Sequence, residues 1–129
     1  MTEKLVENII WQADYFLKEC GEFYPFASII NDRDEVRPLG ILLKNEKPSP
    51  FEVIEELSGV LKLGKEKGEY KAYAIGINIS LNIPDASQQD AIEIRIQNEG
   101  MNDISTYQIP YYLNELSREI EYGDFIQKE

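Results

Sequence analysis

The sequence predicts an α+β domain in which an antiparallel sheet of about five strands carries two main helices on one face. Three observations support this fold class. Two segments have the apolar spacing of amphipathic helices, several others alternate apolar and polar residues, and turn-forming joints separate the alternating segments. The expected order is α-β-β-α-β-β-β plus a short C-terminal element. One globular domain is expected to cover residues 1–129, which suffices to bury a core without disulfides or metal ions.

The first helix is predicted near the start of the chain. Apolar residues recur there at steps of three and four, and they are Leu5, Ile9, Ala13, Phe16, Leu17 and Cys20. Gly21 follows them directly and is expected to end the helix in a left-handed conformation. Because Cys20 falls on the apolar stripe, its thiol is expected to be buried and unreactive.

Two short strands joined by a turn are predicted next. The stretches EFYPFASII and VRPLGILLK are rich in aromatic and β-branched residues, and the turn formers in NDRDE join them into an antiparallel hairpin. Pro25 and Pro38 cannot donate to a strand ladder, which places these stretches at a sheet edge or near strand ends. The acidic joint lacks the glycine and the final glutamate of a calcium-binding EF-hand loop, so a solvated turn is favoured.

The second helix contains a near match to a nucleotide-binding loop. Residues 59–66, GVLKLGKE, fit the pattern G-x-x-x-x-G-K-[ST] except at Glu66, where the pattern requires a hydroxyl that binds magnesium. A phosphate loop also needs free backbone N–H groups at the start of a helix. Here Ser49 and Pro50 begin a helix well before the segment, so its N–H groups are expected to bond within that helix. We therefore predict a helical segment and no nucleotide site.

The same helix has an apolar stripe and two internal glycines. Its apolar positions are Phe51, Ile54, Leu57 and Leu61, with Val53 and Val60 as further candidates. Gly68 is expected to end the helix. Gly59 and Gly64 each cost the helix roughly 1 kcal/mol relative to alanine. Both are therefore expected to allow close packing against another element.

The segment YKAYAIGINISLNIP is the clearest strand. Its large side chains share one face, which is expected to supply most of the burial energy. They are Tyr73, Ile75, Ile77, Ile79, Leu81 and Ile83. The opposite face carries small or polar residues and is either solvent surface or a platform for a partner. AIEIRIQNEG and ISTYQIPYYL predict two more strands. The last segment, NELSREIEYGDFIQKE, stays open, since Leu113, Leu116 and Ile120 suit a short helix while IEYGDF suits a strand or a tail.

The charge balance and the lack of histidine limit the function classes. There are 24 acidic and 13 basic residues, so the net charge of −11 disfavours nucleic acid and anionic membranes and favours a basic partner. The lack of histidine excludes imidazole-based hydrolases and histidine metal sites, and a single cysteine excludes an internal disulfide. With no secretory signal and no apolar run of about 20 residues, we expect a soluble cytoplasmic protein without a cofactor.

Two sets of side chains are candidates for function. Carboxylates are densest in three groups, which are Asp32, Asp34 and Glu35, then Glu52, Glu55 and Glu56, and then Glu115, Glu119 and Glu121. All three groups lie on predicted loops or polar helix faces, where carboxylates stay ionised, so no catalytic or metal-binding residue is predicted. Aromatic residues near the C-terminus form a candidate interface, with core packing as the alternative. They are Tyr107, Tyr111, Tyr112, Tyr122 and Phe125.

Part of the sequence resembles a known family. The stretch GEFYPFASIINDRDEVRPLG, the helix that follows it and the late IEYGDF together are similar to a family of small bacterial α+β proteins of unassigned function. The resemblance covers most of the chain. It implies one domain in a bacterial cytoplasm, and it implies no particular catalytic, binding or cofactor residue.

Three hypotheses for the function remain. The first is a non-enzymatic protein-interaction domain that binds a basic partner, either as a regulatory protein or as an immunity protein that neutralises a nuclease toxin. The second is a structural domain that associates with itself, as a homodimer, through a sheet edge or through the tyrosine-rich C-terminal region. The third, which the sequence supports least, is a metal-assisted enzyme based on carboxylates.

Overall fold

The computed structural model describes residues 2–40, 47–82, 88–100 and 103–128. Ile83, assigned above to the large face of the third strand, lies outside the described residues. The helices and strands are α1 (Thr2–Cys20), β1 (Phe26–Ile30), β2 (Val36–Leu39), α2 (Pro50–Glu66), β3 (Ala72–Asn82), β4 (Gln88–Gln97), β5 (Ser105–Leu113), β6 (Ile120–Tyr122) and β7 (Ile126–Lys128). This order confirms the α+β class and the predicted succession of elements.

All of these strands belong to one antiparallel sheet. Its order is β2-β1-β3-β4-β5-β6, and β7 pairs with β5 along the same edge as β6. The described residues thus form seven strands, where the sequence predicted about five. The two additional strands come from the C-terminal segment that the sequence left open between helix and strand. Strand β2 lies at the sheet edge, as predicted for a strand that contains Pro38.

The two helices pack on opposite faces of the sheet, so the prediction of one shared face is wrong. Successive residues of a strand point to opposite faces, and β3 uses both. Ala72 and Ala74 lie in a buried cluster under α1. Tyr73, Ile75 and Ile77 lie in a second buried cluster under α2. The sheet is therefore the middle layer of three and has a core on each side.

The small face of β3 is the surface on which α1 packs. A Cβ atom on Gly76 would lie 2.8 Å from a methyl group of Ile9 on α1, which is closer than side chains pack. From Ala72 to Gly76 this face is covered by α1 and is not free for solvent or a partner, whereas Ser80, farther along the same face, is exposed. Strand β4 supplies the bulk that β3 lacks, since Ile92, Ile94 and Ile96 are fully buried in the same cluster.

A small polar network aligns α1 with β1. Ser28 is fully buried on β1, and its hydroxyl donates to Asn8 Oδ1 at 2.5 Å. Gln12 Nε2 donates to Asn8 Oδ1 at 2.7 Å and to Ser28 Oγ at 2.8 Å. A buried hydroxyl without a partner is costly, so this network favours one register of the helix against the strand.

Helix α1 ends as predicted but exposes its cysteine. Gly21 has a φ of 80°, and its N–H donates to the carbonyl oxygen of Leu17 at 2.8 Å. Cys20 is exposed, so the expectation of a buried thiol is wrong. The reason is its place in the last turn, where it lines an open cavity instead of facing the sheet.

Helix α2 confirms the helical interpretation of GVLKLGKE. The helix covers Pro50–Glu66, and the Oγ of its N-cap, Ser49, accepts from the Glu52 N–H at 3.2 Å. Gly68 follows with a φ of 76°. Residues 59–66 therefore lie inside the helix, where backbone N–H groups are bonded to helix carbonyls and are not free for a phosphate.

The buried stripe of α2 differs from the predicted one. Val53, Leu57 and Leu61 are buried against the sheet, whereas Phe51 is 69% exposed and Val60 is 42% exposed. The buried positions follow steps of four residues, which places Phe51 on a flank of the helix. The assignment of Phe51 to the buried stripe is therefore wrong.

The two glycines of α2 have different surroundings. At Gly64 a Cβ atom would overlap the ring of Tyr70, whose hydroxyl lies 3.2 Å from the Val60 carbonyl oxygen and 3.0 Å from that of Leu61. Close packing is therefore confirmed at Gly64. The same prediction is wrong for Gly59, which is exposed and where an added Cβ atom would meet nothing within 4 Å.

Pro110 explains why the C-terminal strands are two and not one. It lies inside β5, and its carbonyl oxygen accepts from the Gly123 N–H at 2.8 Å. In an antiparallel strand the N–H and the C=O of one residue point toward the same neighbouring strand. The Pro110 carbonyl points toward the C-terminal strands, so the N–H that proline lacks is missing on that same side. Regular pairing stops there, because β6 pairs with residues 111–113 and β7 with residues 106–108.

The two glycines of α2 provide a matched test of the helix packing. Gly59→Ala should raise the free energy of unfolding by about 1 kcal/mol, because alanine favours the helix and nothing opposes its Cβ. Gly64→Ala should lower it by about 1–3 kcal/mol, because the new Cβ displaces the Tyr70 hydroxyl from its buried contacts. Urea denaturation measures both changes, and equal stabilisation by the two variants would contradict the Tyr70 contact.

Candidate protein-interaction site

Two of the five candidate interface residues meet at one cavity beside α1. Tyr107 lies on β5, and Phe125 lies in the short connection between β6 and β7. Both line a cavity of about 380 Å³ together with residues of α1. We call it the α1 cavity, and its described lining is Glu3, Val6, Glu7, Ile10, Tyr107 and Phe125.

The other three candidates lie elsewhere. Tyr111 is 4% exposed and its hydroxyl donates to Asn78 Oδ1 at 2.8 Å, so it belongs to the core and is not available to a partner. Burial raises the pKa of Tyr111 to about 12. Tyr112, its neighbour in β5, is exposed on the opposite face of the sheet. Tyr122 lies on the α1 side and bonds to that helix.

The position of the α1 cavity follows from the register of the helix. Residues three, four and seven apart lie on one side of a helix. Four residues of α1 have this spacing, beside the buried stripe, and they are Glu3, Val6, Glu7 and Ile10. Val6 and Ile10 are half-buried and form an apolar floor, whereas Glu3 and Glu7 are exposed at the rim. Phe125 closes the opposite side.

The α1 cavity has an unbalanced negative charge. Its described lining contains two carboxylates and neither lysine nor arginine. Glu3 and Glu7 lie one helical turn apart, where like charges destabilise a helix by roughly 0.2–0.5 kcal/mol. The ion pairs described elsewhere in the structure use other carboxylates, which are those of Asp14, Asp34, Glu35 and Glu93. A cation at the rim would relieve the repulsion between the two glutamates.

An exposed aromatic pair lies on the outer side of α1, and the sequence analysis missed it. Trp11 is 70% exposed and Tyr15 is 56% exposed. Trp11 follows Glu7 by four residues, so the pair continues the rim of the α1 cavity around the helix. A signal was available, because the single tryptophan of the chain lies off the apolar stripe. Exposed tryptophan and tyrosine are enriched in protein–protein interfaces.

A hydrogen bond ties the C-terminal strands to α1. The Tyr122 hydroxyl donates to Asp14 Oδ2 at 2.6 Å, and Lys18 Nζ lies 2.9 Å from the other carboxylate oxygen. Burial and the adjacent Asp14 carboxylate raise the pKa of Tyr122. Partial burial alone would raise the pKa of Asp14, but the bonds from Tyr122 and Lys18 outweigh it and lower that pKa. The bond holds β6, and with it Phe125, beside the helix.

The three candidate carboxylate groups lie on separate elements. In the turn between β1 and β2, Asp34 pairs with Lys71 at 2.9 Å, and this bond lowers the pKa of Asp34. Bonds from Asn31 and Arg37 lower the pKa of Glu35 in the same way. The second group lies on α2. In the third group, Glu115 and Glu119 lie between β5 and β6, and Glu121 lies in β6. Within the described residues, no three histidine, cysteine or acidic side chains are grouped so as to hold a metal ion.

Comparisons with protein-family models, with curated proteins and with solved structures found no match. The resemblance to small bacterial proteins therefore stays a prediction. In the ranges that the structure describes, neither helix is long and apolar enough to cross a membrane.

Removal of the Tyr122 hydroxyl tests the bond between α1 and the C-terminal strands. Tyr122→Phe should lower the free energy of unfolding at neutral pH by about 1 kcal/mol, because a partly exposed hydrogen bond to a carboxylate is lost. The loss should shrink in acid. The Asp14 carboxyl has a lower pKa in the folded protein than in the unfolded chain, so its bonds stabilise the fold at a pH above its unfolded-state pKa. This stabilisation disappears as the pH falls through the folded-state pKa of Asp14.

Urea denaturation between about pH 7 and about pH 2 measures this change. Tyr112→Phe is the matched control, because that ring is exposed on the other face of the sheet and its variant should stay within about 0.5 kcal/mol of the wild type. The assignment fails if the two variants have the same stability at every pH.

Proposed function

We propose that this protein is a non-enzymatic interaction domain that binds a basic protein partner through the α1 cavity and the adjacent Trp11 and Tyr15. One observation carries the proposal. The α1 cavity combines an apolar floor with two carboxylates at its rim, and its described lining contains no basic residue. This combination matches a lysine or arginine side chain.

The fit is a matter of side-chain chemistry. Lysine and arginine bury an aliphatic stem along apolar surface while the charged head stays near water. Val6 and Ile10 offer apolar surface for the stem, and Glu3 and Glu7 offer acceptors for the head. The ring of Phe125, which is 54% exposed, adds a face that attracts a cation by roughly 0.5–1 kcal/mol.

The overall charge supports the same kind of partner. A net charge of −11 produces a negative field that accelerates association with a basic protein and repels acidic ones. Such steering is screened within about 10 Å at an ionic strength of about 0.1 M, so binding should weaken as salt is added. The negative field raises the rate of association, whereas contacts in the α1 cavity stabilise the complex once it has formed.

Trp11 and Tyr15 supply the contact area that charge alone lacks. Exposed ion pairs contribute only about 0–1 kcal/mol each, so a tight complex needs buried aromatic anchors as well. The pair lies on the outer side of α1, next to the acidic rim. A cytoplasmic immunity protein that covers a basic nuclease is the role that this surface suits best, and a regulatory protein with a basic partner is the closest alternative.

Self-association is the second candidate, because the same exposed aromatic pair also suits contact with another copy of the chain. Sedimentation equilibrium separates the two. A dimer that Trp11→Ala disrupts would favour self-association, and a monomer at high concentration would count against it. A carboxylate-based enzyme gains no support, since the displaced carboxyl pKa values of Asp14, Asp34 and Glu35 all move downward.

Charge removal at the rim tests the proposed function. The double variant Glu3→Gln with Glu7→Gln should bind a short peptide of alternating lysine and leucine about three- to tenfold more weakly at low salt, because two exposed charge pairs are lost. Peptide titration followed by fluorescence measures the affinity. Trp11 is the single tryptophan, so a shift of its emission to shorter wavelength also reports where the peptide lies.

The control is Glu115→Gln with Glu119→Gln, which removes two exposed carboxylates that are also four positions apart in the sequence and lie outside the α1 cavity. This control should lose less than about twofold. A peptide in which glutamate replaces lysine should not bind. Equal losses in the two double variants would show that only net charge matters and would contradict a role for the α1 cavity.

A further inference from the structure

A second cavity lies at the other end of α1. It has a volume of about 660 Å³, within the range of small-molecule sites. The last turns of α1, the connection to β1, the start of α2 and the middle of β3 all contribute to it. We call it the aromatic cavity, and the residues that matter for its chemistry are Phe16, Cys20, Glu22, Phe23, Tyr24 and Phe26.

Four aromatic rings form much of this cavity. The Phe16 and Phe26 rings have centroids 5.6 Å apart and planes at 64°, and those of Phe23 and Phe26 are 5.4 Å apart at 65°. Rings tilted in this way meet edge to face and do not stack flat. Tyr24 is 60% exposed and extends the wall toward solvent.

The local chain path explains why these rings meet. Gly21 has a φ of 80°, which turns the backbone out of α1. Pro25 is buried and directly precedes β1. The short connection from Gly21 to Pro25 is therefore held against the end of α1. Phe23 in that connection thereby reaches Phe26 on β1, whose ring also packs against Phe16 on α1.

Among the described residues, the aromatic cavity carries one negative charge, that of Glu22, which favours apolar ligands with a positive charge. Glu22 is the one acidic residue of the described lining, which contains no lysine or arginine. The Glu22 side chain is exposed, so it lies where the charged end of a ligand stays partly hydrated. Aromatic ring faces attract cations, and quaternary ammonium groups in particular are bound by several rings at once.

We propose that the aromatic cavity binds a small organic cation, an alkylammonium compound with an apolar body. The rings bury the alkyl groups and attract the charge, and the Glu22 carboxylate neutralises it. A neutral ligand of the same shape gains free energy only from the burial of its apolar surface. An anion is also repelled by the Glu22 carboxylate. This site is independent of the proposed function, because it shares no lining residue with the α1 cavity.

Three probes of one shape and different charge test the proposal. Choline is the cation, 3,3-dimethylbutan-1-ol is its neutral counterpart, and 3,3-dimethylbutanoate is the anion. Cys20 is exposed, lines the cavity and is the single cysteine of the chain, so its rate of alkylation by iodoacetamide reports occupancy. All rates are measured at one ionic strength, which added sodium chloride sets in the sample with the neutral alcohol and in the reference without a probe.

Choline should slow the alkylation of Cys20 in a saturable way. The neutral alcohol should bind about two- to fivefold more weakly, because the attraction between the rings and the charge is lost. The anion should give no protection. Equal protection by choline and the alcohol would overturn the choice of a cation, and no protection by any probe would overturn the site.

Two surface variants locate the binding energy. Glu22→Gln and Tyr24→Ala should each weaken choline about two- to fivefold, and both residues are exposed, so the fold should be retained. Asp32→Asn is the control for the loss of one charge, and Tyr112→Ala is the control for the loss of an exposed ring. Both controls should leave the protection of Cys20 unchanged. Unchanged choline affinity in Glu22→Gln and Tyr24→Ala would contradict the proposal.

Discussion

The alternation of large and small side chains along β3 is the constraint on which the rest of the domain depends. The large face, with Tyr73, Ile75 and Ile77, is covered by α2. The small face, with Gly76, allows α1 to approach the sheet closely, and the isoleucines of β4 fill the space beside it. Neither face is stable in water alone, because each carries apolar surface that only a helix covers. The three-layer arrangement follows from this one strand.

The position of α1 in turn creates both surfaces to which we assign function. Because the helix lies close to the sheet, its flanks meet the C-terminal strands at one end and the connection to β1 at the other. The Tyr122–Asp14 bond keeps the C-terminal chain against the first flank. Gly21 and the buried Pro25 direct the connection toward the second. Apolar floors with acidic rims result at both places, in keeping with the acidic composition of the chain.

Features that depend on a few neighbouring residues were predictable. Ser49 begins α2, Gly21 and Gly68 end the two helices, and the segment that resembles a nucleotide loop is helical. The choice of helix faces was not predictable, because a row of small residues in a strand has the same pattern whether solvent or a helix covers it. The strands β6 and β7 were also beyond the sequence, since three residues carry no periodic signal and the gap between them depends on Pro110 in another strand.

The sequence by itself determined the composition of any functional surface: an excess of acidic residues, no histidine and many aromatic rings. Only the tertiary structure decided which rings are exposed. Tyr111 is buried while its neighbour Tyr112 is exposed, and Trp11 lies on the outer side of a helix whose next residue but one, Ala13, is fully buried. The physical reason is that adjacent residues of one element point in different directions, so a side chain meets water or the core according to where distant elements pack.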